Sequence, residues 1–327
     1  MVRALVTGGT GFVGSHVART LAAGGHTVRV LHRATSKLTA LEGVEYETAI
    51  GDLNDIESLR AACDGMEWVF HVAAVADYWR ADRGRMFEAN IEGTRRVLQA
   101  AREAGVKRVI FTSSAGAVGL RDDGQPADES LKFNLPKDLF PYGFSKMLAE
   151  HVVADAVAEG QDVVIVNPVI VMGPGDLNMI SGSFITQIKR MGPFTPVTSG
   201  GVSVIDVRDV ARGHIAAAEK GRTGERYLLG TANYSNREWF DMVAETVGVP
   251  RPRIYTPDFI VPIIAMLIVL LRAIGIPTPI DSGQARLGVR KVHFDCRKAW
   301  RELGEPQIDM RQSLRDTVDW YREHGYI

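Results

Sequence analysis

Tyr142 and Lys146 stand four residues apart in the run Tyr142-Gly-Phe-Ser-Lys146. On a helix that spacing puts both side chains on one face. A lysine ammonium placed there favours the phenolate and lowers the phenol's pKa. A phenol tuned in this way exchanges a proton with a carbonyl or hydroxyl oxygen near neutral pH. Such a pair also occurs on ordinary solvated helices and is weak evidence alone. Ser114 is a third candidate, because it ends the apolar run 107–113, where a hydroxyl can hydrogen-bond a substrate oxygen. Thr112 and Ser113 are its neighbouring alternatives.

A carbonyl–alcohol interconversion would also need a hydride carrier, and the start of the chain offers a place for one. An apolar run, 2–7, leads into Thr7-Gly-Gly-Thr-Gly-Phe-Val-Gly14; a helix-like run, 12–23, and a second apolar run, 27–32, follow. Strand, glycine turn, helix, strand is the context in which glycines let a backbone approach a pyrophosphate. The helix N-terminus then offers N–H groups and the positive end of its dipole to the phosphates. Where an acidic residue would take the ribose 2′-hydroxyl of NAD(H), the chain has His32-Arg33, with Lys37 soon after. Arg33 can pair with a 2′-phosphate and stack on adenine, which favours NADP(H) over NAD(H).

In this order the motifs resemble those of the extended short-chain dehydrogenase/reductase family, over nearly the whole chain. Within it the chain is most similar to the branch of dihydroflavonol reductase-like and hopanoid-associated epimerase-like proteins, through Arg33, the Phe111-Thr-Ser-Ser114 strand, Asp77-Tyr78-Trp79 and the tail Lys298-Ala-Trp-Arg-Glu-Leu-Gly304. The resemblance implies that Gly8, Thr10, Gly11, Phe12 and Val13 hold phosphates and that Asp52 and Leu53 meet the adenine. It implies that Val72, Ala73, Ala74 and Thr112 line the cofactor, and that Pro168 and Val171 meet the nicotinamide. Ser114, Tyr142 and Lys146 become the catalytic set, with Tyr142 and Lys146 also touching the cofactor. Asn90 falls in the family's helix motif and also reads as structural; Asp52 also reads as a helix N-cap. His71 reads as a packed core histidine. No cluster has metal-ligand spacing. Tyr78, Trp79, Phe133, Phe140 and Phe144 flank these segments and are candidates for an apolar substrate pocket.

The chain has 327 residues, 46% of them hydrophobic, and a formal net charge of −1, which gives no reason to expect a nucleic-acid partner. Cys63 and Cys296 form no metal or redox motif, and a strand beginning at residue 2 leaves no room for a leader, so a cytoplasmic protein with free thiols is expected. The run 259–271 is uncharged, apolar and too short to cross a bilayer. It reads as a buried or lid helix beside the substrate; an oligomer contact and a membrane-surface contact are the alternatives.

Alternation of strands (2–7, 27–32, 44–49, 67–72, 107–113, 162–167) with helices (12–23, 54–63, 85–104, 142–158) predicts a doubly wound parallel Rossmann sheet, α/β in class. Residues 1–172 form the dinucleotide-binding domain, to which 202–230 returns. Residues 173–201 and 231–327 form a smaller, discontinuous, mostly helical substrate region. Met86, Val97, Met147 and Val153 lie outside a single apolar stripe, and pairing of helices 85–104 and 142–158 in a homodimer is expected. The expected function is interconversion of a carbonyl and a secondary alcohol on a small apolar or aromatic compound. An NAD-dependent nucleotide-sugar epimerase or dehydratase is the first alternative, and a non-catalytic dinucleotide sensor is the remote one.

Overall fold

The structure is a computed structural model, and it describes all residues except 77–81, 178, 180–181, 277 and 279. Tyr78 and Trp79 thus lie outside the described residues. In chain order the elements are β1 Arg3–Thr7, α1 Phe12–Ala23, β2 Thr27–His32, β3 Glu47–Ile50, α2 Ile56–Cys63, β4 Trp68–His71, α3 Arg83–Phe87, α4 Gly93–Glu103, β5 Arg108–Thr112, α5 Pro141–Ala158 and β6 Val163–Pro168. Then follow β7 Ile170–Met172, α6 Ser183–Met191, β8 Pro196–Val197, β9 Gly201–Asp206, α7 Val207–Lys220, β10 Arg226–Leu229, β11 Ala232–Ser235, α8 Asn236–Val247, β12 Ile254–Tyr255, α9 Val261–Ala273, α10 Ser282–Leu287, α11 Arg297–Leu303 and α12 Met310–Glu323.

Seven parallel strands make the central sheet, in the order β3-β2-β1-β4-β5-β6-β10. The strands are apolar on both faces because helices cover both. Val164 and Val166 face a core shared with α1 and α7, whereas Val163 and Ile165 face one shared with α2, α4 and α5. Chain order reverses between β1 and β4, the switch point at which doubly wound sheets open a crevice at the strands' carboxyl ends.

The return to this sheet expected over 202–230 is carried by α7 and β10. Strand β9 instead lies between β7 and β11 in a separate three-stranded sheet, and β8 pairs with β12 in a two-stranded ribbon. A third core, with Trp239, Met242, Leu314 and Tyr321, packs α8 and α12 on that smaller sheet. The helix expected over 85–104 is interrupted: Glu88–Glu92 form a π-helical turn between α3 and α4. Met86, Val97 and Val153 are buried within the chain, so they offer no surface to a second copy; Met147 is half-buried.

Helix α9 departs furthest from expectation. Only Val261, Ala265 and Ile268 are buried, packed with Ala285 of α10 and flanked by Ile264 and Ile280. Phe259, Ile263, Met266, Leu267, Val269 and Leu270 are each more than half exposed. The expected burial fails because among the described residues α10 is the one helix packed along it.

Candidate active site

The glycine turn is built on close approach. Gly8 has φ +71°, the left-handed region, and a β-carbon there would lie 2.7 Å from the backbone of Ala73. A β-carbon at Gly14 would overlap the Gly8 carbonyl. Thr7 Oγ1 accepts from Ala73 N at 3.2 Å, so the turn is fastened to the end of β4 at the switch point. Thr10, Gly11, Phe12 and Val13 are half-buried along it. Gly11 is the N-cap of α1, and no side chain caps the helix and no acidic residue stands in its first turn. Its first N–H groups are therefore available to an anion. The residues present fit a dinucleotide's pyrophosphate.

Around this turn stand the other cofactor candidates. Arg33 and Lys37 are exposed beyond the end of β2 and make no ion pair among the described residues. Asp52 is not the cap of α2; Asp55 is, accepting from the N–H groups of Glu57 and Ser58, while Asp52 Oδ1 accepts from Asn54 N at 2.9 Å. Leu53 packs against Gly93, where a β-carbon would come within 3.2 Å of it. Val72, Ala73 and Ala74 follow β4, with Ala74 exposed. Pro168 ends β6 and Val171 lies in β7. The loop between β7 and α6 reaches the helix start, where His16 Nε2 and the Pro174 carbonyl are 3.0 Å apart.

Helix α5 begins at Pro141, whose fixed φ suits a first turn. It carries Tyr142 and Lys146 past the end of β5. The hydroxyls of Tyr142 and Ser114 are hydrogen-bonded. Ser114 Oγ also accepts from Gly116 N at 3.1 Å. The alternatives point elsewhere: Thr112 Oγ1 meets His214 Nε2 at 2.8 Å, and Ser113 Oγ donates to Glu150. Lys146 is 2% exposed; its ammonium donates to the Thr112 carbonyl at 2.7 Å and lies 4.7 Å from the centre of the Phe111 ring.

The electrostatics differ from the sequence expectation. Burial pushes the Tyr142 phenol up to about 12, and the group that opposes the rise is the Ser114 hydroxyl. Burial brings Lys146 down to about 8, opposed by the Glu150 carboxylate. Desolvation thus outweighs the lowering of the phenol expected from the lysine. His71 is a core histidine, held between Thr7 Oγ1 at 2.9 Å and Thr94 Oγ1 at 3.1 Å; burial, then Lys146, lowers it to about 3.

One support escaped the sequence reading, and a second, Asn90, was read as structural without its partners. Glu150 lies one turn beyond Lys146, accepts from Asn167 Nδ2 at 2.6 Å and pairs with Arg226 at 3.2 Å. Its spacing, Tyr142, Lys146, Glu150, was the available signal. The π-turn positions Asn90: its Oδ1 accepts from Val75 N at 2.8 Å, and its Nδ2 donates to Ser145 Oγ at 3.0 Å. Asn90 therefore ties the segment after β4 to the catalytic helix, and no periodicity announced the extra residue of a π-turn. Phe144 meets Phe87 and Phe133 with ring centres 6.1 and 6.0 Å apart, an apolar group on the first turn of α5. Phe140 is half-buried at the N-cap of α5. A polar surface cavity of about 540 Å³, lined by Asp128, Arg222, Asp295 and Lys298 among others, shares no residue with this cluster.

Comparison with known proteins shows similarity over nearly the whole chain. The sequence profile of the NAD dependent epimerase/dehydratase family matches residues 4–230. A Synechocystis sp. protein provisionally assigned as a dihydroflavonol 4-reductase is 37% identical over 98% of this chain and 95% of its own length. Sterol demethylase protein B of Methylococcus capsulatus is 36% identical over 99% of both chains. A solved structure of a nucleoside-diphosphate-sugar epimerase from Pseudomonas aeruginosa superposes with a TM-score of 0.83 at 28% identity, covering 100% of this chain and 99% of that one.

Proposed function

This chain belongs to the NAD dependent epimerase/dehydratase family, and from that premise we propose that it is an NAD(P)-dependent oxidoreductase interconverting a carbonyl and a secondary alcohol. The observation that carries the proposal is the hydrogen-bonded pair Ser114–Tyr142 at the end of β5, with Lys146 buried one turn along α5 and anchored on the Thr112 carbonyl. When bound, the nicotinamide dinucleotide supplies or accepts the hydride. In the reducing direction Tyr142 donates its proton to the substrate oxygen. A phenol pushed up to about 12 is protonated at neutral pH, so it carries the proton that the reduction requires. Ser114 hydrogen-bonds the same oxygen and fixes its position. Lys146, cationic at pH 7, is anchored on the Thr112 carbonyl and orients the nicotinamide ribose.

We assign residues 1–172, with α7 and β10, to the cofactor, and 173–201 and 231–327 to the substrate. The Phe87, Phe133 and Phe144 rings favour an apolar or aromatic compound. Pairing of two copies through α4 and α5, with the half-buried Met147 and Leu148 at the contact, and a cytoplasmic site of action belong to the same proposal. The exposed Arg33 favours NADP(H). Calorimetric titration should show tighter binding of NADPH than NADH, with the order reversed in Arg33→Asp; an NADH preference in the unaltered protein overturns that part.

The nucleotide-sugar alternative needs cations for a diphosphate; of the candidates Lys189, Arg190 and Arg208, Arg208 is held by Asp206 at 2.8 Å and Asp316 at 2.7 Å, whereas Lys189 and Arg190 are exposed and make no ion pair among the described residues. Turnover of carbonyl compounds with NADPH consumed in equal amount tests the reading. A protein that instead retains NAD through purification and consumes no external cofactor is an epimerase or dehydratase.

A further inference from the structure

A surface helix ordinarily turns its apolar stripe inward and its charges outward. Helix α9 does the reverse of the second half. At 100° per residue, Pro262, Ile263, Met266, Leu267, Val269, Leu270, Ala273 and Ile274 fall on one continuous outward arc, and all of them are exposed. No charged or polar side chain interrupts that arc. Phe259, 76% exposed, extends it at the helix's entrance, and Ile254 and Tyr255 of β12 are exposed just before it. At 13 residues α9 is too short to cross a bilayer.

The rim of this face is cationic. Arg253, next to Ile254, donates its N–H to the Pro193 carbonyl at 2.9 Å, and the neighbouring segment carries exposed Phe194 and, one turn earlier, Lys189 and Arg190. Arg272 closes the other end, donating to Thr278 Oγ1 at 2.8 Å. Among the described residues Lys189, Arg190, Arg253 and Arg272 make no ion pair, and over 249–276 Asp258 is the one acidic residue. A two-fold contact between copies would set like against like, because it brings the same patch of each together. Anionic headgroups would neutralise the rim while the acyl boundary accepts the arc.

We propose that α9, with the β8–β12 ribbon leading into it, is an interfacial docking face that seats the protein on an anionic lipid surface. Helix α10 lies between α9 and the segment that leads into the catalytic helix. Helix α10, on which α9 rests, packs so closely on Leu139 that a β-carbon at Gly283 would overlap the Leu139 carbonyl, three residues before Tyr142. Docking there would hold the start of the catalytic helix behind α9 and α10, close to a lipid boundary in which a water-insoluble carbonyl or alcohol would be dissolved. That use rests on the oxidoreductase reading; the docking does not.

The test is flotation of the full chain with vesicles of phosphatidylcholine alone and of phosphatidylcholine mixed with phosphatidylglycerol. The protein should float with the mixed vesicles and be released by high salt together with charge removal. Met266→Glu with Leu270→Glu should reduce partitioning at least about tenfold, since each side chain forfeits its burial and gains repulsion. Lys189→Glu with Arg190→Glu should reduce it on the mixed vesicles with the apolar arc intact. Circular dichroism and thermal unfolding of both variants should match the unaltered protein, since all four side chains are exposed. Failure of the unaltered protein to float overturns the proposal, and so does a dimer that the Met266/Leu270 variant disperses without any lipid binding in the parent. Flotation involves no turnover, so loss of the catalytic reading would leave this result standing and the converse holds.

Discussion

Strand β6 and helix α9 are made of the same kinds of residue, yet β6 is buried along its whole length while α9 leaves five large aliphatic side chains more than half exposed. The difference lies in their neighbours. β6 has β5 and β10 at its edges and helices on both faces, so every side chain meets a partner. Helix α9 shares one small cluster, Ala265, Ile268 and Ala285, with α10. Hydropathy therefore states what a segment would gain from leaving water, and topology decides whether the chain itself provides the place.

The catalytic half offers the largest effect by which that contrast can be broken. Tyr142→Phe removes only a hydroxyl from the interior side, and turnover should fall about 10²–10⁴-fold while the dinucleotide still binds. Leu270→Glu, at the exposed face, should leave turnover of a water-soluble carbonyl unchanged. Steady-state kinetics on both variants would reverse the comparison if the order came out opposite.

Stability sharpens it next. Ile165→Ala in β6 should cost about 2–5 kcal/mol, as a buried large-to-small change does. Leu270→Ala, 53% exposed in the parent, should stay within about 0.5 kcal/mol. Urea denaturation of the two variants measures both.

Lys146 is the charged group that the interior half tolerates. Its pKa, brought to about 8 by burial, lies below the ordinary 10.5, so the folded chain binds fewer protons than the unfolded one between those values. The cost of burying the ammonium is therefore present below pH 8 and is relieved as pH rises toward 10.5. Relative to Lys146→Met, the parent should gain up to about 3 kcal/mol over that window. Denaturation of both proteins at pH 7 and pH 10 tests the sign.

The smallest effect separates two neighbouring carboxylates. Asp55→Ala removes the cap of α2 and should cost about 1 kcal/mol. Asp52→Ala should cost less in stability and appear instead as weaker dinucleotide binding, read by thermal shift with and without cofactor.

Much of the nucleotide half was legible in the chain. The central strands and helices fall within a few residues of their apolar runs, because each run is both locally patterned and covered by its neighbours. The π-turn at Glu88–Glu92 was not legible, since one extra backbone residue leaves the composition of a helix unchanged. Nor was the partner of β9: an apolar strand pairs equally well with either sheet, and its edge is chosen by the fold.

By itself the sequence determined the order of the sheet's elements, the glycine turn and the residue types of the Ser114, Tyr142 and Lys146 set, because these rest on local conformation and on spacing along one strand or helix. Only the tertiary structure decided which of three adjacent hydroxyls faces Tyr142, that desolvation rather than Lys146 governs the phenol, that Glu150 and Asn90 brace the catalytic helix, and that α9 faces outward. Each of those depends on what a side chain meets across the fold, and the distance from Ser114 to Tyr142, or from α9 to any cover, is set by the packing of separate elements and not by their separation in the chain.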